Sequence, residues 1–249
     1  MAPSRYLALA LACTGCDLAF GLDGEDPCSL GSFDTAQTTD ITEADDFSID
    51  WDETLAVYTR AGLAFELALP GATPKPIDLG PYSMLGLSLT PEGNALFYTA
   101  SIEPPVLRGA LRAGDAQWQL DAGVPRGSYA GTPSADVLGP RRVLVRMRPA
   151  DAEIVEYEDD NGRWVPVGEP HTVEGAVAPN LTPNGLTMVY AGVDAEQQPA
   201  IFAATRASTA DWFGTPTIIL RGMHRSPLLF GRCKRLYTVD TGVLRRFDR

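Results

Sequence analysis

The recurrence of tryptophan and of one turn motif at a fixed spacing limits what this chain can fold into. Trp118, Trp164 and Trp212 stand 46 and 48 residues apart, and Leu89-Thr90-Pro91-Glu92-Gly93 returns as Leu181-Thr182-Pro183-Asn184-Gly185 after 92 residues, two such periods. A repeat of that length, with Gly-marked turns between short apolar runs, belongs to modules that cannot bury a flat face alone and stack it against a neighbour. Propeller blades are the all-β form of that arrangement.

Five segments align on the repeat: Ser48 to Tyr58, Ser88 to Tyr98, Ser134 to Val145, Asn180 to Tyr190 and Leu229 to Thr238. Each reads as a short strand, a turn carrying Gly or acidic residues, and a second strand of β-branched or aromatic residues. Tyr58, Tyr98 and Tyr190 close three of them at the same place. The alternation in Val106 to Arg112 and in Ile201 to Arg206 supplies a third strand with one buried face. Asn161-Gly162 is a strong hairpin signal just before Trp164. The chain is therefore predicted to be an all-β propeller of five four-stranded blades, with six as the alternative count, and a tryptophan opening the fourth strand in three of them. Arg112 and Arg206 each precede a tryptophan by six residues, Glu158 holding that place before Trp164; an ion pair with an acidic residue of the next blade is expected for the two arginines.

The fifth copy stops after its third strand, near Val243–Phe247, while Ser32 to Ala36 has no unit of its own. Adding that N-terminal strand to the last blade closes the ring and removes two open sheet edges. The same closure brings together the chain's opposite charges. Residues 1–53 hold twelve acidic side chains against Arg5, whereas residues 221–249 hold eight basic side chains against two acidic ones. An overall charge of −12 argues against nucleic acid as the partner, the basic tail being the only candidate surface for phosphate.

Segments SLTPEGNALFYTA and NLTPNGLTMVYAG resemble the S-x-D-G-x-x-L-x-[FY] repeats of TolB-like propellers, and IFAATRASTADWFGTP resembles the third and fourth strands of such blades in bacterial envelope lipoproteins. The Asp of the motif is Glu92 in one copy and Asn184 in the other, and the third copy keeps only Gly139. The resemblance implies a monomeric, cofactor-free module that binds an envelope protein or peptide.

The N-terminus points the same way. Arg5, the apolar run Tyr6–Ala12 and then Cys13-Thr14-Gly15-Cys16 resemble a lipoprotein leader over residues 1–16, with Cys16 as the lipidated residue and Cys13 as the alternative. Residues 17–31 then read as an acidic tether and 32–249 as the propeller domain. Processing at Cys16 leaves Cys28 and Cys233, an even pair suited to an oxidising envelope. Their bridge closes a loop of about 205 residues, worth roughly 5 kcal/mol on chain entropy.

Sites of chemistry are sparse. His171 and His224 fit no metal-binding spacing, and Glu156, Glu158, Asp159 and Asp160 lack the alternating order of a calcium loop, so no metal is expected. Asp50, Asp136 and Glu174 fall near the starts of successive blades and are candidates for a glycoside-hydrolase-like set of channel carboxylates. The leading expectation remains an envelope-anchored, non-enzymatic binding or scaffolding propeller, with that hydrolase as the alternative. Under non-reducing conditions, proteolytic mapping is expected to recover Cys28 and Cys233 in one linked peptide; two separately alkylated thiols would refute the pairing.

Overall fold

The computed structural model describes residues 30–102, 105–121, 123–124, 129–130, 142–148, 153–230 and 233–249. Its strands form five four-stranded antiparallel sheets, the five blades of a propeller. Blade 1 contains β2 (Asp46–Ile49), β3 (Leu55–Arg60), β4 (Leu63–Ala68) and β5 (Lys75–Ile77), and blade 2 contains β6 (Met84–Leu89), β7 (Ala95–Ala100), β8 (Val106–Gly114) and β9 (Gln117–Asp121). Blade 3 is β10 (Tyr129–Ala130), β11 (Arg142–Arg148), β12 (Glu153–Asp160) and β13 (Arg163–Thr172). Blade 4 is β14 (Val177–Leu181), β15 (Thr187–Val193), β16 (Pro199–Thr205) and β17 (Thr217–Arg221). Blade 5 takes β18 (His224–Phe230), β19 (Arg235–Asp240) and β20 (Val243–Asp248) from the C-terminus and β1 (Ala36–Thr38) from the N-terminus. The ring is thus closed by non-covalent pairing of the two chain ends, with Ala36 opposite Phe247 and Thr38 opposite Arg245. The closing strand starts at Ala36, slightly later than the sequence pattern places it.

The turn between the first and second strands explains the recurring motif. In blades 2 and 4 the Thr90 and Thr182 hydroxyls accept the amides of Ala95 and Thr187, and in blade 1 the Asp50 carboxylate accepts those of Thr54 and Leu55. Three residues on, the backbone takes positive φ, at Gly93 and Gly185 but also at Glu53 and Cys233. Only glycine adopts that conformation without steric cost, so the two non-glycine residues there are held by something else.

First strands line the centre and run in one direction. Asp46 and Ser48 of β2 accept the amides of Leu87 and Leu89 of β6, and Asn180 of β14 donates to the Pro227 carbonyl of β18. Tyr58, Tyr98 and Tyr190 are all buried; Tyr58 and Tyr190 stack on their cross-strand neighbours Phe65 and Phe202, and Tyr98 donates to the Leu79 carbonyl.

Three expectations require correction. Trp118 and Trp164 lie at the starts of β9 and β13, but Trp212 precedes β17 by five residues, in a connector whose turn is tied by Ser208 and Asp211. In blade 3 the first described strand is Tyr129–Ala130, upstream of Ser134, and it pairs with Val145 and Arg146. The two arginines reach the preceding blade rather than the next one. Arg112 binds Glu66 of blade 1, and Arg206 binds Glu156 of blade 3 through Nη1 at 2.6 Å and Nη2 at 2.7 Å.

Those ion pairs are deeply placed. Glu66 accepts four bonds, from Arg112 Nε and Nη2, the Ala116 amide and the Trp118 indole. The Arg206 side chain is fully enclosed, and Glu156 also receives Arg142 Nη1 at 3.2 Å. Removing one partner of such a pair strands the other in a poorly solvated site. Arg206→Ala is therefore expected to lose about 3–5 kcal/mol of stability in urea denaturation; a loss under about 1 kcal/mol would mean that Arg142 alone satisfies Glu156.

Asp46 is the opposite case, a buried carboxyl facing no cation in its described contacts. It accepts the Leu87 and Phe47 amides and bonds to Ser226 of blade 5. Burial dominates these bonds, with Asp45 adding like charge, and the pKa is raised to about 6. Because the folded state holds this proton more tightly than the unfolded chain, the group's contribution to stability falls as pH rises from about 4 to about 6. The stability difference between Asp46→Asn and the unsubstituted protein should therefore grow in the variant's favour across that window, by a total on the order of 3 kcal/mol. A difference constant with pH would place the Asp46 pKa at its ordinary value.

Candidate functional site

Each blade presents one face to the blade before it and one to the blade after it, so the ring has five seams. Four are filled by an aromatic side chain. Trp118 packs against the blade 1 residues around Val57 and Ala64, and Trp164 meets Phe97 of blade 2 edge to face at 5.5 Å. Trp212 and Phe213 cover the seam between Leu144 and Ile154 of blade 3 and Met188 and Tyr190 of blade 4. The seam between blades 4 and 5 is filled from the N-terminus by Phe33, whose amide donates to the Ile219 carbonyl. Arg249 lies over the Phe33 ring at 3.9 Å, as Arg206 lies over Phe213 at 4.4 Å. Phe33 thus replaces the aromatic of a connector that blade 5 lacks, in the place Phe213 takes in blade 4.

At the fifth seam, between blades 5 and 1, Trp51 of the blade 1 turn meets Phe230 at 5.7 Å, but no aromatic comes from the connector before the fourth strand. The connector that should supply it is Leu69-Pro70-Gly71-Ala72-Thr73-Pro74, which contains no aromatic residue. The ion pair at the third-strand position is missing too. Glu66 of β4 and Glu156 of β12 lie on the third strand with their side chains toward the following blade, and Arg246 of β20 occupies the corresponding place in blade 5, with Tyr237 opposite it as Val57 is opposite Glu66. The place of Arg112 in blade 1 is taken by Leu69, which packs against the blade 5–blade 1 core.

What remains is a cleft of about 430 Å³, within the range of small-molecule sites. Ile41, Leu67, Leu69 and Leu244 give it apolar walls, Tyr58 lies at its back, and Glu53, Tyr237 and Arg246 give it polar groups. Glu53 explains its own backbone conformation here. From positive φ its Oε2 accepts Arg235 Nη1 and, at 3.2 Å, the Tyr237 hydroxyl, tying the blade 1 turn to blade 5. Glu53 Oε1 is shielded and has no hydrogen-bond partner among the described residues. Burial, reinforced by the Glu53 carboxylate, pushes the Tyr237 pKa up to about 12, so its phenol remains a neutral donor. Arg246 holds Asp248 Oδ1 through Nε at 3.0 Å and Nη2 at 2.9 Å, and this bond raises its pKa further. Among the described residues its Nη1 has no partner.

The sequence candidates fall elsewhere. Asp50 follows β2 and is consumed in capping its own turn, while Glu174 precedes β14 and is exposed. Because the first strands run parallel, the two carboxylates lie at opposite rims of the ring and form no pair. Asp136, Cys13, Cys16 and Cys28 lie outside the described residues. Cys233 is buried at the left-handed turn position of blade 5. His171 stacks on Trp212 at 3.7 Å, and His224 Nδ1 lies 3.0 Å from the Thr238 hydroxyl. The acidic run of blade 3 is divided among different tasks: Glu156 and Glu158 bind Arg142, and Asp159 accepts the Gly162 amide. Among the described residues no group of three or more His, Cys, Asp or Glu is placed to hold a metal, and no helix is long and apolar enough to cross a membrane.

No protein-family model matches the chain, and no curated protein matches it in sequence. Solved structures share its fold. It is similar to TolB from Acinetobacter baumannii at a TM-score of 0.52 and 13% identity, over 87% of this chain and 55% of that one. A TolB-type protein from Agrobacterium tumefaciens gives 0.50 and 16%, over 79% and 70%. A gluconolactonase from Xanthomonas campestris gives 0.54 and 11%, over 81% and 70%. The chain spans about half the length of the Acinetobacter protein. At these identities the likeness is one of fold, and it covers TolB and a lactonase alike.

Proposed function

We propose that this protein is an exported, lipid-anchored propeller that acts as a non-enzymatic binding module at the cell envelope, and that the open seam between blades 5 and 1 is where it binds. The cleft carries this reading. Four seams of one ring are filled by the same device and the fifth is left open, with apolar walls and a few fixed polar groups. That composition suits holding an amphipathic group, either free or presented by an envelope protein or peptide. The carboxylate there is engaged by Arg235 and Tyr237, a setting for positioning rather than for proton transfer. Export is supported by the leader-like residues 1–16, and a bridge from Cys28 to Cys233 by the place of Cys233, buried in the blade that the N-terminal strand completes.

A sealing substitution tests the site. Ala72 follows the turn at Leu69–Gly71, its amide bonded to the Ala68 carbonyl, and it lines the cleft, so Ala72→Trp supplies an aromatic where the seam lacks one. Native mass spectrometry of protein recovered from envelope extract is expected to show a bound molecule or peptide that Ala72→Trp excludes. Equal recovery by both proteins would remove the cleft from the proposal. Palmitate labelling abolished by Cys16→Ser but not Cys13→Ser is the expected result for the anchor.

A further inference from the structure

We propose that the chain carries its own occupant for the open seam: the uncharged stretch Leu18-Ala19-Phe20-Gly21-Leu22, which lays Phe20 in the cleft and which a ligand must displace. This rests on the binding reading above and adds its regulation.

The neighbouring seam supplies the precedent. Between blades 4 and 5 the missing filler comes from the N-terminal segment, where Phe33 and Leu30 join the core. The next aromatic toward the N-terminus is Phe20, among the residues that precede the described chain. The seam of blades 5 and 1 lacks an aromatic between Leu69 and Pro74, and its lining is uncovered there: Leu69 is half-buried, and Pro70, Ala72 and Pro74 are exposed. In an extended chain Leu18, Phe20 and Leu22 share one face, so three apolar side chains turn together toward that wall.

Reach and charge agree. Gly31 lies against the Arg249 guanidinium, the Arg249 amide donates to the Lys234 carbonyl at 2.9 Å, and Arg235 binds Glu53 at the cleft. A basic row thus crosses the rim of blade 5, from the point where the described chain begins to the open seam. Asp23, Glu25 and Asp26 stand between Phe20 and Leu30, so the acidic run passes along that row. The ten residues from Leu30 back to Phe20 span up to about 33 Å when extended. Stacked sheets lie only about 10 Å apart, and more where they splay.

The cleft itself calls for an uncharged group. Glu53 is paired with Arg235 and Arg246 with Asp248, while Asp40 is exposed. Leu18 to Leu22 brings no charge to disturb these pairs. It does bring backbone N–H groups, the donors that Glu53 Oε1 lacks among the described residues.

The test places photoreactive p-benzoylphenylalanine at position 20 of the full chain and maps its cross-links by mass spectrometry. Cross-links to residues 69–74 of the same chain are expected, and Ala72→Trp should remove them. In parallel, Nile red, an uncharged apolar dye, is titrated into the unsubstituted chain and into Phe20→Ser. Freeing the cleft should tighten dye binding about tenfold, the figure for an occupant present in about nine-tenths of molecules. Absence of cross-links to residues 69–74, or their formation only between two chains, overturns the occupant. Equal dye affinity in both proteins overturns it too, while leaving the cleft as a site if Ala72→Trp excludes the dye. Dye that binds neither protein, or that binds Ala72→Trp equally, overturns the binding reading as well.

Discussion

Burial of one blade's flat face against the next is the constraint on which the rest depends. A four-stranded antiparallel sheet has two faces, and neither can be covered from within the blade. Among the described residues the core is accordingly five separate clusters, and most of them join side chains of neighbouring blades, such as Phe97 with Val143 and Leu144 with Met188. Aromatic side chains suit this work because the blades splay outward and leave wedge-shaped gaps that only a large, flat group fills at native density. The repeat of about 46 residues is the trace of that need, since blades 2 to 4 each send one filler backward over the predecessor.

Closure follows from the same constraint. The strands β18 to β20 by themselves leave both an unpaired edge on β20 and an unfilled seam with blade 4. The N-terminal segment remedies both at once, β1 pairing with the edge and Phe33 filling the seam. Two non-glycine residues in left-handed turns mark where the ends are tied. Glu53 is held there by Arg235 and Tyr237, and Cys233 stands in the same turn of the neighbouring blade. Backbone strain of this kind persists where the surroundings fix the residue: at Glu53 the junction of blades 1 and 5, and at Cys233 the core between blades 4 and 5 that Phe33 completes.

The blade count, the completing N-terminal strand and the buried tyrosines were legible in the sequence because each leaves a local mark: a spaced motif, a missing strand, an aromatic at a fixed phase. The phase of Arg112 and Arg206 was equally visible, but the blade they reach was not. Position along a strand says nothing of which neighbour a side chain meets across a seam. Trp212 drifted from its strand because the connector after Arg206 is longer than that of blade 2, and repeat spacing absorbs such an insertion without showing it. Asp50, Asp136 and Glu174 looked alike in sequence, yet Asp50 and Glu174 lie at opposite ends of parallel strands. The cleft was least visible of all. Its sign is an aromatic that is absent between Leu69 and Pro74, and an absence has meaning only once the strand register shows where the aromatic belongs.

An open seam is costly to keep. Leu69, which is only partly buried, would gain by contact with a ring like Trp118, and sequences that lose such contact without return drift toward filling it. Ala72 to tryptophan is a change at one position of an exposed turn, so the geometry poses little barrier to filling. The reversed charge argues further against simple decay. Loss of a filler predicts a vacant pair or an apolar replacement, whereas blade 5 carries a guanidinium where blades 1 and 3 carry carboxylates, and it is steadied by Asp248 rather than left to solvent. Violations of a repeat's own rules that come together, at one seam and with compensating contacts, are the pattern expected of a site and not of erosion.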